Sequence, residues 1–341
     1  MKNGTGLVVG VDLGGTKMHA AAVDEHGRVL GEARCKTLPD EGAGAVIERI
    51  AKIVRDAVKA SSHPLADVQA VCVGVPGGVD AHTGIVDRAP NLGWEHVPLG
   101  PELSAALGGV RVFLDNDVRV AVLGEFAYGV GRGAQTMVGV FVGTGIGGGV
   151  VVGGRLHLGA RGAAGEIGHM CLDPSGPRCP CGRIGCAEAL ASRTSIERDV
   201  RALVKRGRKS KVLKLMAKEN RPRLTSSVIA RALADGDKVM RKVMARAQFH
   251  LGLLVGNLVN ALDPEVVVIG GGIAERLGED FVTPIRAGAR ERFLVERDAD
   301  HVRIVPTQLK DQAAPLGAAF VARQRLGLVH ARTTDAPKSA P

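Results

Sequence analysis

Val9-Gly10-Val11-Asp12-Leu13-Gly14-Gly15-Thr16-Lys17 is a short apolar run that ends in a carboxylate and then breaks on two glycines, a threonine and a lysine. Val138-Gly139-Val140-Phe141-Val142-Gly143-Thr144-Gly145 repeats that grammar at a constant offset of 129 residues and without a gap, through Val23 in the first copy and Val152 in the second. Each copy reads as strand, glycine turn, strand, and the chain reads as an internal duplication. Turns of this composition let backbone N–H groups and a hydroxyl approach phosphate oxygens, because no Cβ stands in the way. Two facing copies would grip a polyphosphate from both sides. The copies differ at the strand end, Asp12 against Phe141, so only the first offers a carboxylate, a natural partner for hydrated Mg2+ beside phosphate.

Outward from these turns, Leu7–Val11, Met18–Val23 and Val29–Ala33 read as strands, Ala43–Lys59 as an amphipathic helix and Ala70–Val75 as a buried strand. Val110–Leu114 is a further strand that runs into Asp115-Asn116-Asp117, with a helical pattern from Val118 to Tyr128. Farther on the chain is mostly helical, over Arg193–Lys205, Ser227–Leu233 and Asp237–Ala261. The strand Val266–Ile269 closes on Gly270-Gly271-Gly272 before a helix near Ala274, an arrangement that lets a phosphate or flat ring approach the backbone. A strand at Val302–Val305 and a helix at Pro315–Leu326 follow, and residues 329–341 read as a disordered tail.

Between the second turn and the helices lies Glu166-x-x-His169, then Cys179-x-Cys181-x4-Cys186, then Glu188. One imidazole and three thiols are the donor set that tetrahedral zinc accepts, and Pro180 and Gly182 suit a tight knuckle between the sulfurs. Cys171 is a competing ligand two residues beyond His169. A site closed by four protein ligands is structural, because catalytic zinc keeps an open position. The flanking carboxylates, with a free ring N–H on His169, describe recognition of vicinal hydroxyls.

Composition narrows the class. At 341 residues, 45% of them apolar, the chain supports two domains with a core each. Aromatic residues make up only 3%, which weighs against stacking platforms for single-stranded nucleic acid. Cysteine usage fits a reducing cytoplasm, and the N-terminal sequence lacks the apolar core of a signal peptide. Gly133–Gly154 has no charged residue over 22 positions, but nine of them are glycine, so it reads as a buried hairpin and not a membrane span. The net charge of +10 has a local source in 201–223, where ten Lys/Arg meet one acid, Glu219. That stretch reads as a solvated helical face, or as a weak anion-steering surface.

Taken together the motifs resemble those of the ROK family of bacterial sugar kinases and repressors, over nearly the whole length. Asp12 to Lys17 matches its first phosphate motif, Gly143 to Gly148 the second, and Gly270-Gly271-Gly272 the adenosine motif. Glu166-Ile167-Gly168-His169 and Cys179-Pro180-Cys181-Gly182-Arg183-Ile184-Gly185-Cys186-Ala187-Glu188 match its two most specific signatures. The resemblance implies a duplicated α/β fold of the actin-like ATPase, ribonuclease H-like kind, in two domains with an interdomain active-site cleft. The expected division is 1–117, joined by a C-terminal helix over about 311–328, and 118–310 with a zinc loop at 169–186. Asp117 would be the general base, with Asn116, Glu166, His169 and Glu188 on the sugar, and Gly78 and Asn91 in loops approaching it. Asp12, Gly14, Gly15, Thr16, Lys17, Gly143, Thr144, Gly145, Gly271 and Gly272 would hold ATP with Mg2+. His169, Cys179, Cys181 and Cys186 would bind structural Zn2+. The activity implied is glucokinase, with mannose, fructose, N-acetylglucosamine or N-acetylmannosamine as other acceptors and polyphosphate as another donor. A cytoplasmic homodimer or homotetramer is implied, without membrane or nucleic-acid partners. A sugar-responsive repressor would need a DNA-binding module, usually an N-terminal helix-turn-helix, and Asp12 stands too near the start to leave room for it. Arg119 departs from the small or amide residue of many relatives; it is either an outward cation or a perturber of the neighbouring base.

Overall fold

The computed structural model describes residues 6–295 and 299–329; the tail expected beyond residue 329 lies outside them. Two compact units emerge, 1–133 with 311–341, and 134–310.

In the first unit, the elements run β1 (Val8–Leu13), β2 (Lys17–Val23), β3 (Val29–Lys36), α1 (Ala43–Ala60), β4 (Ala70–Val75), β5 (Gly78–Asp80), β6 (Ile85–Ala89), β7 (Trp94–Val97), α2 (Leu99–Ala106), β8 (Arg111–Asn116) and α3 (Asp117–Tyr128). The main sheet has the order β3-β2-β1-β4-β8, antiparallel through β1–β3 and parallel from β1 to β8. The near-continuous apolar runs of β1 and β4 are explained by burial on both faces. Val9, Val11 and Leu13 share one core with Val46, Ile50 and Val54 of α1. On the opposite face Gly10 meets the C-terminal helix Ala313–Arg325, so closely that a Cβ would sit 1.9 Å from the Pro315 carbonyl oxygen. β5, β6 and β7 form a separate small sheet that the sequence reading did not contain.

That C-terminal helix also packs on α3 through two glycines. A Cβ on Gly124 would lie 2.0 Å from the Ala313 oxygen, and one on Gly317 would lie 1.6 Å from the Val120 oxygen. The two backbones interlock, and α3 therefore belongs to the first unit. The division falls after residue 133, where the sequence placed it after 117.

The second unit repeats the plan: β9 (Met137–Val142), β10 (Ile146–Val152), β11 (Arg155–Leu156), α4 (Ala187–Ala191), α5 (Arg193–Lys205), α6 (Val212–Lys218), α7 (Ser226–Ala234), α8 (Lys238–Leu262), β12 (Val266–Gly270), α9 (Gly272–Leu277), α10 (Glu279–Arg290) and β13 (Arg303–Pro306). Its sheet order, β11-β10-β9-β12-β13, has the same mixture of antiparallel and parallel pairs as the first. The duplication is thus topological as well as local, but it is not free of a gap. Leu13 pairs with Met18 across residues 14–17, whereas Val142 pairs with Ile146 across 143–145, so the second turn is shorter by one residue. The uncharged stretch is the β9–β10 hairpin, and among the described residues no helix is long and apolar enough to cross a membrane.

Candidate active site and metal-binding loop

In the first unit β1, β4 and β8 end together: Asp12 lies opposite Gly74, and Gly74 opposite Asp115. Carboxyl ends of parallel strands are where open α/β sheets receive ligands. The Gly14 N–H donates to the Lys17 oxygen at 3.0 Å and closes the first turn. Thr37 braces it from β3's exit, its hydroxyl donating to the Gly14 oxygen at 2.5 Å and its N–H to the Thr16 oxygen at 3.0 Å. Thr16 and Lys17 are left exposed. Gly15 abuts the loop carrying Asn91, since a Cβ there would come within 3.2 Å of the Asn91 oxygen. The first glycine turn and the Asn91 loop therefore form one continuous surface. Gly78 is exposed at the start of β5.

Asn116 caps α3, its Oδ1 accepting the N–H groups of Val118 at 3.0 Å and Arg119 at 3.2 Å. Its Nδ2 donates to the Gly77 oxygen at 3.2 Å. Asp117 opens α3, half-buried, with one oxygen accepting the Val118 N–H at 2.9 Å. Burial pushes its carboxyl above the ordinary range, and hydrogen bonds from the Val118 N–H, its own N–H and the Asn116 side chain oppose that only in part. A carboxylate so placed is a stronger base than an exposed one. Arg119 acts elsewhere: its guanidinium favours the ionised form of buried Asp115, against the larger opposing effect of burial.

In the second unit the Gly143 N–H reaches the Gly145 oxygen at 2.9 Å, a tighter turn than the first. The α4–α5 junction supports it. Arg193 donates to the Thr144 hydroxyl at 2.8 Å, the Thr194 hydroxyl donates to the Thr144 carbonyl at 2.8 Å, and the Arg193 N–H reaches the Gly143 oxygen at 3.0 Å. From α4, Glu188 accepts the Ile146 N–H at 3.0 Å. Gly271 has φ of 85°, and a Cβ there would lie 2.4 Å from the Val142 oxygen, so the β12 exit can cross the turn only as glycine. Gly272 opens α9 beside the Ser226 hydroxyl. Phe141, the counterpart of Asp12, lays its ring over Gly270.

His169, Cys179, Cys181 and Cys186 converge, with their ligand atoms all within 4.8 Å of one another. Two separations, Cys181 to Cys186 and Cys179 to the His169 ring, are 3.7 Å. A tetrahedral zinc with bonds of about 2.3 Å to sulfur places two sulfurs about 3.8 Å apart, so the donor set fits the ion. The loop folds as a small hairpin, with backbone bridges Cys171 to Cys186 and Arg178 to Ile184. Exposed Glu166 precedes the one-turn helix Ile167–His169. A Cβ on Gly168 would lie 1.9 Å from the Ile146 oxygen, which locks that turn onto β10. Glu188 also faces this cluster, 3.7 Å from the Cys179 sulfur, so it links the Cys-His loop to the second glycine turn.

Every residue flagged from sequence thus falls in one of two groups. Asp12, Gly14–Lys17, Gly78, Asn91, Asn116 and Asp117 belong to the first unit; Gly143–Gly145, Glu166, His169, Glu188, Gly271, Gly272 and the thiols belong to the second. Thr37, Arg193 and Thr194 support the turns and were not read from sequence, since each meets its turn through tertiary packing. Hollows do not mark the chemistry by size. One of about 520 Å3, lined by Val259, Phe293 and His301, contains none of these residues, whereas one of about 490 Å3 includes Asn91 and Trp94.

Two sheets of one topology, each closing on a glycine turn, define the class: a two-domain actin-like ATPase fold of the sugar-kinase type. The chain belongs to the ROK family, whose pattern it matches over residues 8–325. It is 36% identical over 321 residues to the glucokinase of Thermotoga maritima, covering 94% of this chain and 98% of that one. A xylose repressor of Caldicellulosiruptor bescii is 30% identical over 312 residues, covering 92% of this chain and 77% of its own. The ROK glucokinase of Streptomyces griseus, solved with glucose and AMPPNP, superposes with a TM-score of 0.77 at 32% identity, covering 94% and 100% of the two chains.

Proposed function

We propose that this chain transfers the γ-phosphoryl group of Mg-ATP to the primary hydroxyl of glucose. Its membership of the hexokinase-type phosphotransferases rests on the family and on full-length glucokinase relatives. The observation that carries the mechanism is Asp117: a carboxylate at a capped helix start, beside the strand ends of the phosphate turn, with its proton affinity raised by burial. In this reading Asp117 accepts the sugar's hydroxyl proton as the oxygen attacks phosphorus in line, and Asn116 orients that hydroxyl. Asp12, Gly14–Lys17, Gly143–Gly145, Gly271 and Gly272 hold the nucleotide, and their backbone N–H groups meet charge developing on the transferred phosphoryl group. Mg2+ arriving with ATP neutralises phosphate charge. Glu166, His169 and Glu188 accept or donate to ring hydroxyls, and zinc on the Cys-His set keeps their loop in shape.

A coupled assay over glucose, mannose, fructose and the N-acetylhexosamines, with ATP, ADP or polyphosphate as donor, tests this reading. Glucose with ATP is expected to give the highest kcat/KM. A higher value for another sugar or donor would replace the substrate assigned, and a folded Asp117→Ala protein with near-native turnover would remove the base. Sugar binding with no transfer to any acceptor would instead place the chain with the sugar-sensing members of the family.

A further inference from the structure

We propose that Cys171 and Cys186 form a reversible disulfide under peroxide, and that forming it displaces the metal from the Cys-His loop. The inference rests on the zinc reading of that loop and adds a thiol that reading does not use. Residues 170–172 and 185–187 run antiparallel, with the Leu172 N–H donating to the Gly185 oxygen at 2.8 Å and the Ala187 N–H to the Met170 oxygen at 2.9 Å. Cys171 and Cys186 are the bridged pair between those two bonds. They therefore occupy a non-hydrogen-bonded position, where facing Cα atoms lie about 4.5 Å apart and the side chains leave on one face. That spacing falls inside the range of about 4.4–6.8 Å that a disulfide spans.

Exposure and ligation separate the two partners. Cys171 is exposed and outside the converging donor set, so peroxide meets it while the metal is still held. Cys186 is buried and within the set. Cys181 lies 3.7 Å from Cys186, sulfur to sulfur, but both are donors, so a link between them costs the metal two ligands where the Cys171 link costs it one.

The Cys171 sulfur attacks hydrogen peroxide, the O–O bond breaks, and a sulfenic acid and water result. The Cys186 sulfur then attacks the sulfenic sulfur, the S–O bond breaks, and the second oxygen leaves as water. Two thiols and one peroxide give one disulfide and two waters, the sulfurs losing the two electrons that the peroxide gains. The metal is left with an incomplete donor set. Cys186 immediately precedes α4, whose Glu188 holds the Ile146 N–H at the second phosphate turn, so oxidation reaches both the metal loop and that turn.

The test uses the full chain. Elemental analysis fixes its zinc content, hydrogen peroxide is added, zinc release is followed with a chromophoric chelator, and disulfide-linked peptides are mapped by mass spectrometry. The expected result is a Cys171–Cys186 link that grows in step with zinc release, both reversed by dithiothreitol and added Zn2+. Cys171→Ser, a change at an exposed position, should release zinc about tenfold more slowly at equal peroxide. A Cys181–Cys186 or Cys179–Cys186 link in the native chain, or unchanged zinc release in Cys171→Ser, overturns the proposal. A chain purified without zinc would undo the metal reading, while the peptide map would still decide whether Cys171 and Cys186 pair.

Discussion

The two glycine turns are built on one plan and supported by different means. The first, Gly14–Lys17, is braced by Thr37 at the exit of its own sheet, abuts the Asn91 loop and stands beside two carboxylates, Asp12 and Asp117. The second, Gly143–Gly145, has an aromatic ring in place of Asp12, and three side chains from α4 and α5 clamp it. Duplication supplied the scaffold, and substitution at the strand end and in the turn assigned the work. In this reading the first unit carries the proton chemistry, and the second fixes the position of nucleotide and sugar.

The sharpest break in that comparison is Asp117→Asn. Loss of the base should lower kcat by roughly 10²- to 10⁴-fold with little change in sugar KM, as read in steady-state assays. Stability should move the other way. Burial raises the Asp117 carboxyl, so its contribution to stability is full below the unfolded-state pKa of about 3.9 and is lost as pH rises through the folded value. The Asn variant is therefore expected to melt higher than the native chain at neutral pH, with the gap closing as pH falls toward about 4. For the same reason native kcat/KM should fall, on acidification, at a pH above the ordinary carboxylate range. An Asn variant that melts lower at pH 7 and the same at pH 4 would contradict a penalised charge at this position.

Removing the metal tests the other side. Stripping zinc with a chelator should raise sugar KM by about 10- to 100-fold, since the loop would no longer orient Glu166 and Glu188, and should lower the melting temperature. Added Zn2+ should restore both. Equal losses in kcat and none in KM would place the loop with the chemistry and erase the division of labour.

Arg193→Ala is expected to act more mildly, on the second turn alone. It removes a charge-assisted hydrogen bond to Thr144 at 2.8 Å. At this exposed position such a bond contributes about 1.5 kcal/mol, the low end for a charged donor, so KM for ATP should rise by about tenfold, with sugar KM unchanged. A matching rise in sugar KM would show that the turn and the metal loop move together through Glu188.

Why the clamps escaped the sequence, when the turns did not, has a physical reason. Glycine leaves a local signal at Gly14, where a Cβ would lie 2.9 Å from the Lys17 oxygen three residues on, and at Gly271, where φ is 85°. The Cys-His set is legible for a similar reason, as its donors sit within 18 residues, from His169 to Cys186, and their spacing survives folding. Arg193 is 49 residues from Thr144, and nothing in its neighbourhood distinguishes it from the other cations of α5. The β5–β7 sheet was missed because its strands are short and weakly alternating. The boundary after 117 followed the motif, whereas the fold follows the interlock of Gly124 and Gly317, a contact between residues far apart in sequence.

Arg119 gives the smallest expected effect and the finest distinction. It lies two residues from Asp117 and invites the idea that it tunes the base, yet the carboxylate it favours is Asp115. Burial raises Asp115 in spite of Arg119, so this carboxyl also contributes stability that is full below its unfolded-state pKa and lost as pH rises through the folded one. Arg119→Gln removes the opposing charge, pushes Asp115 higher and extends that loss over a wider pH window. The variant should therefore match the native chain in melting temperature near about pH 4 and fall below it at neutral pH. The acid limb of kcat/KM, set by Asp117, should not move. If the limb shifts upward while the melting curves coincide, Arg119 acts on the base itself, and the carboxylates at the ends of β8 and α3 titrate as one group rather than two.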